Sequence, residues 1–599
     1  MSVPSGPLES SALEVPSAQP VVFVPAPGLV ASGGEFTPRA LVGGCIIGAL
    51  LAVSNVYMGM KTGWWESGSI SAAVLGFSGL SALGRRWGTA PTAQENNLVQ
   101  TAASAVGAMP AAAGLLGSLP ALALMDITVP AWGVVAWGAA LGVLGVLAAY
   151  LLRRRLLVDE ALPFPTGVAT AEVITAMHQK GRATQPGRAR VLLSSGLVSM
   201  GMTWLRDVTG WVPSVTAMPG KLAGLPASNF TWGLGWNPML LAIGMMVGLP
   251  MGLSMLLGAV LAWGGIAPRL VSTGAVATNA GYEQFVEWLT WPGVGLMLGA
   301  AVVALAAQAR SLVKAVKDLR AVRSGSGGVG RWALGVALAS GAVVLVLGHG
   351  VFELPMLHTL LALALLLPLC AVCARAAGQT DISPVSQMGQ ITQVVSGTLF
   401  PGPRGLNVAV GSVTAGAVAQ TGVSLWSLKT GHVLGTKPQH QLLAQLLGVI
   451  IGAAVGVPAY VLLMKAYGVG SEALPVPSAH QFVALAELST RGFSGLPAHA
   501  SEAAWIGFCV GAGLTLLARG RLERFVPSAV AMGMGFLMPA HYSVTIATGA
   551  LLVAIARRVR PDGATQHASA LGAGAIAGES LMGLAIAALL ALGFIQRSG

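Results

Sequence analysis

Apolar runs of bilayer length, separated by short polar or basic connectors, set the pattern of this chain. They fall near residues 41–60, 70–83, 98–125, 130–152, 191–205, 238–263 and 294–308. After a basic connector they resume near 332–348, 354–373, 391–400, 408–426, 442–464, 503–517, 528–555 and 570–594. Two polar-speckled pieces, Phe164–Met177 and His480–Leu488, are too short to span and read as re-entrant. The pattern predicts an all-α polytopic membrane protein of about sixteen transmembrane helices. A transmembrane barrel is excluded, because it would show short alternating segments.

One run opens unlike the others. Gln94 to Thr101, QENNLVQT, places polar or ionisable side chains at the mouth of an apolar run. Such groups are costly in lipid unless they face protein, water or a ligand. Gly107, Pro110, Gly114 and Pro120 then interrupt the run, as in a broken helix lining a cavity. A plainer reading is a helix start, with Glu95 near the positive dipole end and Asn96 or Asn97 as cap.

The two sides of the connector resemble each other. WNPMLLAIGMMVGLP from Trp236 aligns with FVPSAVAMGMGFLMP from Phe525, matching Pro238 with Pro527 and Gly244 with Gly533. LPFPT from Leu162 aligns with LPVPS from Leu474, and NLVQTAASAVGA from Asn97 with NVAVGSVTAGAV from Asn407. GSISAAVLG from Gly68 aligns with GQITQVVSG from Gly389. The matches keep one order, so the chain reads as two internally repeated halves, an arrangement of secondary transporters. The predicted organisation is a disordered cytoplasmic tail (1–35), a first membrane repeat (36–309), a basic cytoplasmic connector (310–331) and a second repeat (332–599).

Composition sharpens this picture. Of 599 residues, 54% are hydrophobic and 9% charged, far below the charge of a soluble domain. The net charge of +12 does not indicate nucleic acid, because the basic residues cluster beside apolar runs. Arg85-Arg86, Arg153 to Arg155 and Arg310 to Arg331 read as cytoplasmic anchors, placing the N-terminus inside. The early segment lacks a basic n-region, and the default location is a bacterial inner (plasma) membrane. Cys370 and Cys373 stand in an apolar run without a second ligand pair and read as small buried hydrophobes. No metal site and no cofactor is expected.

The candidate chemistry is sparse. No P-loop and no H-E-x-x-H occurs, which argues against an ATP-driven pump and an intramembrane metalloprotease. Glu579 is the deepest carboxylate, so it is protonated, paired or wet. Thr166, Thr170 and Glu172 lie on a short segment opened by Pro163 and Pro165. Lys61 and Lys429 each stand in K-T-G at the end of an apolar run. His349, His358 and His541 are expected at helix ends.

The motifs NVYMGMKTGWWESGSISAAVLGF, TAQENNLVQTAASAVGAM, LPFPTGVATAEVITAMHQKG, ISPVSQMGQITQ, SLKTGHVLGTKPQHQLLAQLLG and AGESLMGLAIAALLALG span Asn55 to Gly593. Together they resemble the oligopeptide transporter (OPT) superfamily, closest to its yellow-stripe-like branch. The resemblance implies proton-coupled symport by alternating access, with small peptides or metal chelates as substrate. QENN-x-x-QT and PFPTG-x-ATAE are similar to the chelate branch. The Asn-Pro-Gly motif of the peptide branch is missing, with FPGPRGLN from Phe400 nearest. On this reading Gln94, Asn96, Asn97, Gln100, Thr101, Thr166, Thr170 and Asn407 bind substrate, and Glu95, Glu172 or Glu579 carries the proton. Lys61, Arg404 and Lys429 would gate, with Glu95 opposite Arg404. Partners are the substrate, protons and the lipid bilayer, with a homo-oligomer left open. A proton or ion channel and an intramembrane enzyme are the alternatives; counterflow separates the first, an altered substrate the second.

Overall fold

The computed structural model describes residues 34–88, 90–178, 186–307, 331–381, 383–492, 496–519, 525–559 and 561–595. Most of the expected tail and nearly all of the basic connector lie outside the described residues. Eleven helices among the described residues are long and apolar enough to cross a membrane. The chain is an all-helical, multi-pass membrane protein. The strands present are short pairs in one connector.

The first part holds α1 (Pro38–Thr62), α2 (Ser69–Trp87), α3 (Ala93–Gly107), α4 (Met109–Ala112), α5 (Ser118–Leu124), α6 (Ala131–Arg153) and α7 (Pro165–His178). It continues with α8 (Pro186–Asp207), α9 (Pro238–Val247), α10 (Leu249–Ala259), α11 (Ala267–Ser272) and α12 (Tyr282–Ala307). Next come α13 (Arg331–Gly350), α14 (Met356–Thr380), α15 (Val385–Leu399), α16 (Arg404–Leu434) and α17 (Pro438–Tyr467). The chain closes with α18 (Pro477–Arg491), α19 (Ala500–Leu517), α20 (Ala529–Leu537), α21 (Ala540–Val559) and α22 (Pro561–Ala591).

The run opened by QENN is broken where its residues require it. α3 ends at Gly107, Pro110 falls in the first turn of α4, and Gly114 takes a left-handed φ of 77° before α5. Thr92, rather than Asn96 or Asn97, caps α3 by accepting the Glu95 N–H. The apolar run at 238–263 breaks likewise, at Gly248 with φ 81°.

Helices approach at glycine. A Cβ on Gly244 of α9 would lie 1.9 Å from the Ile546 carbonyl oxygen of α21, and one on Gly549 would lie 2.0 Å from Leu241 O. α12 and α19 touch the same way, through Gly295 and Gly299 on one side and Gly507 and Gly511 on the other. Small residues permit backbone-to-backbone packing in a medium that offers no hydrophobic drive between helices.

Two distant connections share one geometry. Phe164 has φ 45° and donates its N–H to Gly378 O at 2.9 Å, against the end of α14. Val476 has φ 43° and donates its N–H to Met60 O at 2.9 Å, against the end of α1. α1 and α14 both close on left-handed caps, Gly63 and Asp381. The equivalence stops at the caps. Asp381 accepts from the N–H and hydroxyl of Thr166, at 3.1 and 2.6 Å, whereas Gly63 packs against Pro477 and Ser478 without a side chain.

α16 is the central rod. Its 31 residues are almost wholly buried, and it extends beyond the apolar run at both ends. At about 1.5 Å per residue it is roughly 45 Å long, enough to cross the hydrocarbon with both ends beyond it. Its start lies near Ile127, its end beside the start of α3. These two ends define opposite faces of the bundle.

Candidate functional site

A cavity of about 760 Å³ opens on the face away from the N-terminal end of α1. Its wall includes Lys61 at the end of α1, Arg206 and Asp207 at the end of α8, and Asn237 before α9. Tyr467, Glu472, His541 and Tyr542 close the other side. Glu472 stands in the connector after α17, half exposed, and partial burial pushes its carboxyl above the usual range. Lys61 is buried and lies 4.6 Å from the centroid of the Tyr57 ring.

Beneath this wall lies Glu579, 0% exposed. One of its oxygens accepts from Arg206 Nη2 and Asn237 Nδ2, each at 3.1 Å. The other accepts the Met239 backbone N–H at 2.8 Å, in the first turn of α9. The carboxylate therefore caps a short interrupted helix, where the dipole favours negative charge. Arg206 is shared: it also donates to both oxygens of Asp207, at 2.6 and 2.9 Å, and to Trp236 O at 3.1 Å. One guanidinium thus ties a cavity carboxylate, a buried carboxylate and the start of α9. An isolated buried charge would be far costlier than this paired, fully bonded arrangement.

The family described as OPT oligopeptide transporter protein matches residues 35–590. The chain belongs to the OPT family. A Haemophilus influenzae protein whose name carries the words oligopeptide transporter is 27% identical, over 90% of this chain and 92% of its own length. The iron-phytosiderophore transporter yellow stripe 1 of Zea mays is 25% identical, over 91% of this chain and 89% of its own. A metal-nicotianamine transporter of Arabidopsis thaliana is 26% identical, over 91% and 92%. The OPT chain is a transporter and not an enzyme.

The site residues expected from sequence fall in separate places of this OPT protein. Lys61 and Glu579 belong to the cavity and its base. Gln94, Asn96, Asn97, Gln100 and Thr101 are buried in α3, and four of them pack against the end of α16 and start of α17. There Gln94 donates to Leu434 O at 3.2 Å, Asn97 to Thr436 Oγ1 at 3.0 Å and Gln100 to Ser427 Oγ at 3.1 Å. Thr101 accepts from Gln441 at 3.1 Å. Thr166 and Thr170 serve α7 itself, the first bonded to Asp381 and the second to Thr166 O at 2.7 Å. Glu172 is exposed on the outside of α7. Lys429 donates to Leu162 O at 2.9 Å, away from the cavity. His541 is the second residue of α21, as expected.

The expected gate between Glu95 and Arg404 does not form. Glu95 accepts from Arg39 at 2.6 and 2.8 Å and from Thr37 at 2.5 Å, while Arg404 pairs with Glu487 at 2.8 Å. Nor does Gln94–Thr101 meet Asn407, which exchanges hydrogen bonds with Gln393 instead. The reason is direction: α3 begins where α16 ends, so corresponding sequence positions lie at opposite faces. Arg206, Asp207 and Asn237 escaped the sequence reading. The only signals were a charge pair closing the run at 191–205 and an Asn-Pro opening the next.

Proposed function

We propose that this chain is a proton-coupled symporter that imports small peptides or metal chelates by alternating access. The observation that carries the reading is the one-sided cavity whose base couples Asp207 and Glu579 through Arg206. Lys61 and Arg206 suit carboxylates of a ligand; Asp207 and Glu472 suit its amines or a chelated cation. The relatives named for metal-nicotianamine and iron-phytosiderophore transport support the chelate class, and the Haemophilus influenzae name supports the peptide class.

Among the expected carboxylates, Glu579 is best placed to carry the coupling proton, because its charge holds the start of α9. A neutral Glu579 attracts Arg206 and the dipole of α9 less strongly. Protonation would therefore free both elements to shift together. Glu95 is engaged by Arg39 on the opposite face, and Glu172 points away from the cavity. The face carrying Arg85, Arg86 and the start of α1 is the cytoplasmic one, which makes the cavity outward-facing. A cysteine placed at Ser326 should then resist impermeant reagents in intact cells. The matched turns at Phe164 and Val476, with α3 and α16 starting at opposite faces, support an inverted duplication. The buried polar residues from Gln94 to Thr101 would line the inner half once it opens.

The test is uptake into proteoliposomes. An inside-alkaline gradient should accelerate it, and Glu579→Gln should retain exchange of bound substrate while losing the pH dependence. Normal pH dependence in that variant would remove Glu579 from the role.

A further inference from the structure

A second crevice, of about 430 Å³, opens where α10, α12, α15, α19 and α20 come together. It lies in the half of the bundle away from the outward cavity. Tyr282, in the first turn of α12, donates to Leu537 O, four residues before the cavity residue His541. α12 therefore starts near the outward face, and the crevice residues Ala300, Ala301 and Ala304 stand several turns further in. α19 runs beside α12 in the same direction, with Gly295 against Ala504 and Gly299 against Phe508. The end of α19 thus reaches the inner face, where Leu514, Thr515 and Ala518 complete the same wall.

The hydroxyls of this wall are turned into the protein. Ser254 donates to Pro250 O at 2.7 Å and accepts from the Ser528 N–H at 3.0 Å. Thr515 donates to Gly511 O at 2.8 Å, and Ser528 caps α20 by accepting from the Ala531 N–H at 3.3 Å. Alanine, leucine, methionine, valine and proline remain, with Gln387 of α15 the one amide. A peptide or a chelate finds few groups to bind in such a wall, whereas hydrocarbon matches it. Charge stands at the mouth. Arg519 follows Ala518 directly, is exposed, and has no ion pair among the described residues. It opens a basic stretch, RGRLER, whose later residues lie outside the described ones. Leu516 and Leu517, just before it, are exposed to the surrounding hydrocarbon.

We propose that this crevice holds one acyl chain of an anionic phospholipid from the inner leaflet, with the headgroup phosphate on Arg519. A chain that moves from the bilayer into the crevice leaves one hydrocarbon for another, so the chain itself gives little preference. Selection among lipids falls to the headgroup, where a basic residue at the cytoplasmic edge attracts negative charge. The bound chain fills the gap between α15 and the four helices opposite, and close-packed interiors tolerate such gaps poorly. Only the choice of leaflet rests on the orientation given above; substrate and coupling do not enter.

Protein stripped of lipid in dodecyl maltoside is melted with dioleoyl phosphatidylglycerol or dioleoyl phosphatidylcholine, and native mass spectrometry counts the lipid retained. Phosphatidylglycerol should raise the melting temperature saturably and stay bound as one molecule per chain, with phosphatidylcholine clearly weaker. Arg519→Gln should weaken phosphatidylglycerol binding roughly fivefold. Ala301→Phe fills the crevice and should abolish retention of that one lipid. Glycerol 3-phosphate, a headgroup without a chain, should leave the melting unchanged. Equal effects of the two lipids, or none from either, overturn the proposal. So does a phosphatidylglycerol shift that either folded variant keeps in full, or that glycerol 3-phosphate reproduces. A dimer formed in place of lipid retention assigns the crevice to a second copy and also overturns it. Should Ala301→Phe not fold, the two lipids and Arg519→Gln decide. None of these measurements needs transport, so their failure leaves the symporter reading standing, and the reverse.

Discussion

The base of the cavity and the seam between α3, α16 and α17 solve the burial of polar groups in opposite ways. Around Glu579 every partner is charged or strongly polar, and the carboxylate accepts three hydrogen bonds. Along the seam the groups are neutral, and four carboxamide oxygens accept none. A buried charge without partners costs several kcal/mol, while an orphan amide oxygen costs about 1–3 kcal/mol. A membrane protein can therefore leave amides unmet at a place that must change, but it cannot leave a carboxylate so.

The sharpest way to break this contrast is Arg206→Leu. It strands Glu579 and Asp207 together and should cost about 3–5 kcal/mol, read as lost folded yield and a lower melting temperature. A variant as stable as the natural protein would mean that the Arg206–Glu579 pair adds nothing to the stability of the fold. Asn237→Ala removes one charge-assisted bond to the same oxygen and should cost about 1.5–3 kcal/mol in the same assay. Gln100→Leu on the seam should stay within about 1 kcal/mol, because it deletes an orphan acceptor along with two bonds to hydroxyls. A loss as large as that of Asn237→Ala would show the seam to be satisfied after all.

The smallest effect concerns a carboxylate outside the membrane spans. The hydrogen bonds from Arg375 hold the Glu160 carboxyl below its ordinary range, with Arg155 adding to them. A depressed folded value means stability that is present above the unfolded pKa and lost as pH falls through the folded one. Glu160→Gln should therefore flatten the acid limb of the melting curve and change little at neutral pH. Partial exposure keeps the effect small.

Much of the membrane architecture was legible because it follows from burial. Long apolar runs became helices, and the glycines and prolines after Thr101 broke α3 where turn chemistry required. Glu579 stood out because a lone carboxylate amid alanine and glycine is physically anomalous. Arg206 and Asp207 did not, because charges that end an apolar run also serve as interfacial anchors. Only three-dimensional placement shows Arg206 turned inward onto Glu579. The Glu95–Arg404 pairing failed for a different reason. Matching sequence positions say nothing about direction, and two helices that start at opposite faces put their equivalent residues a membrane apart.

The glycine contacts between α12 and α19 have a mechanical consequence. With Gly295 and Gly299 seated on one backbone and Gly507 and Gly511 on the other, the two helices mesh like toothed bars. Sliding would drive carbonyls into α-carbons, so the pair transmits force as a single strut. A push where α12 begins, beside Tyr282 and its hydrogen bond to Leu537 O, travels the strut's length as tilt. Large displacements are then left to interfaces that have no such teeth.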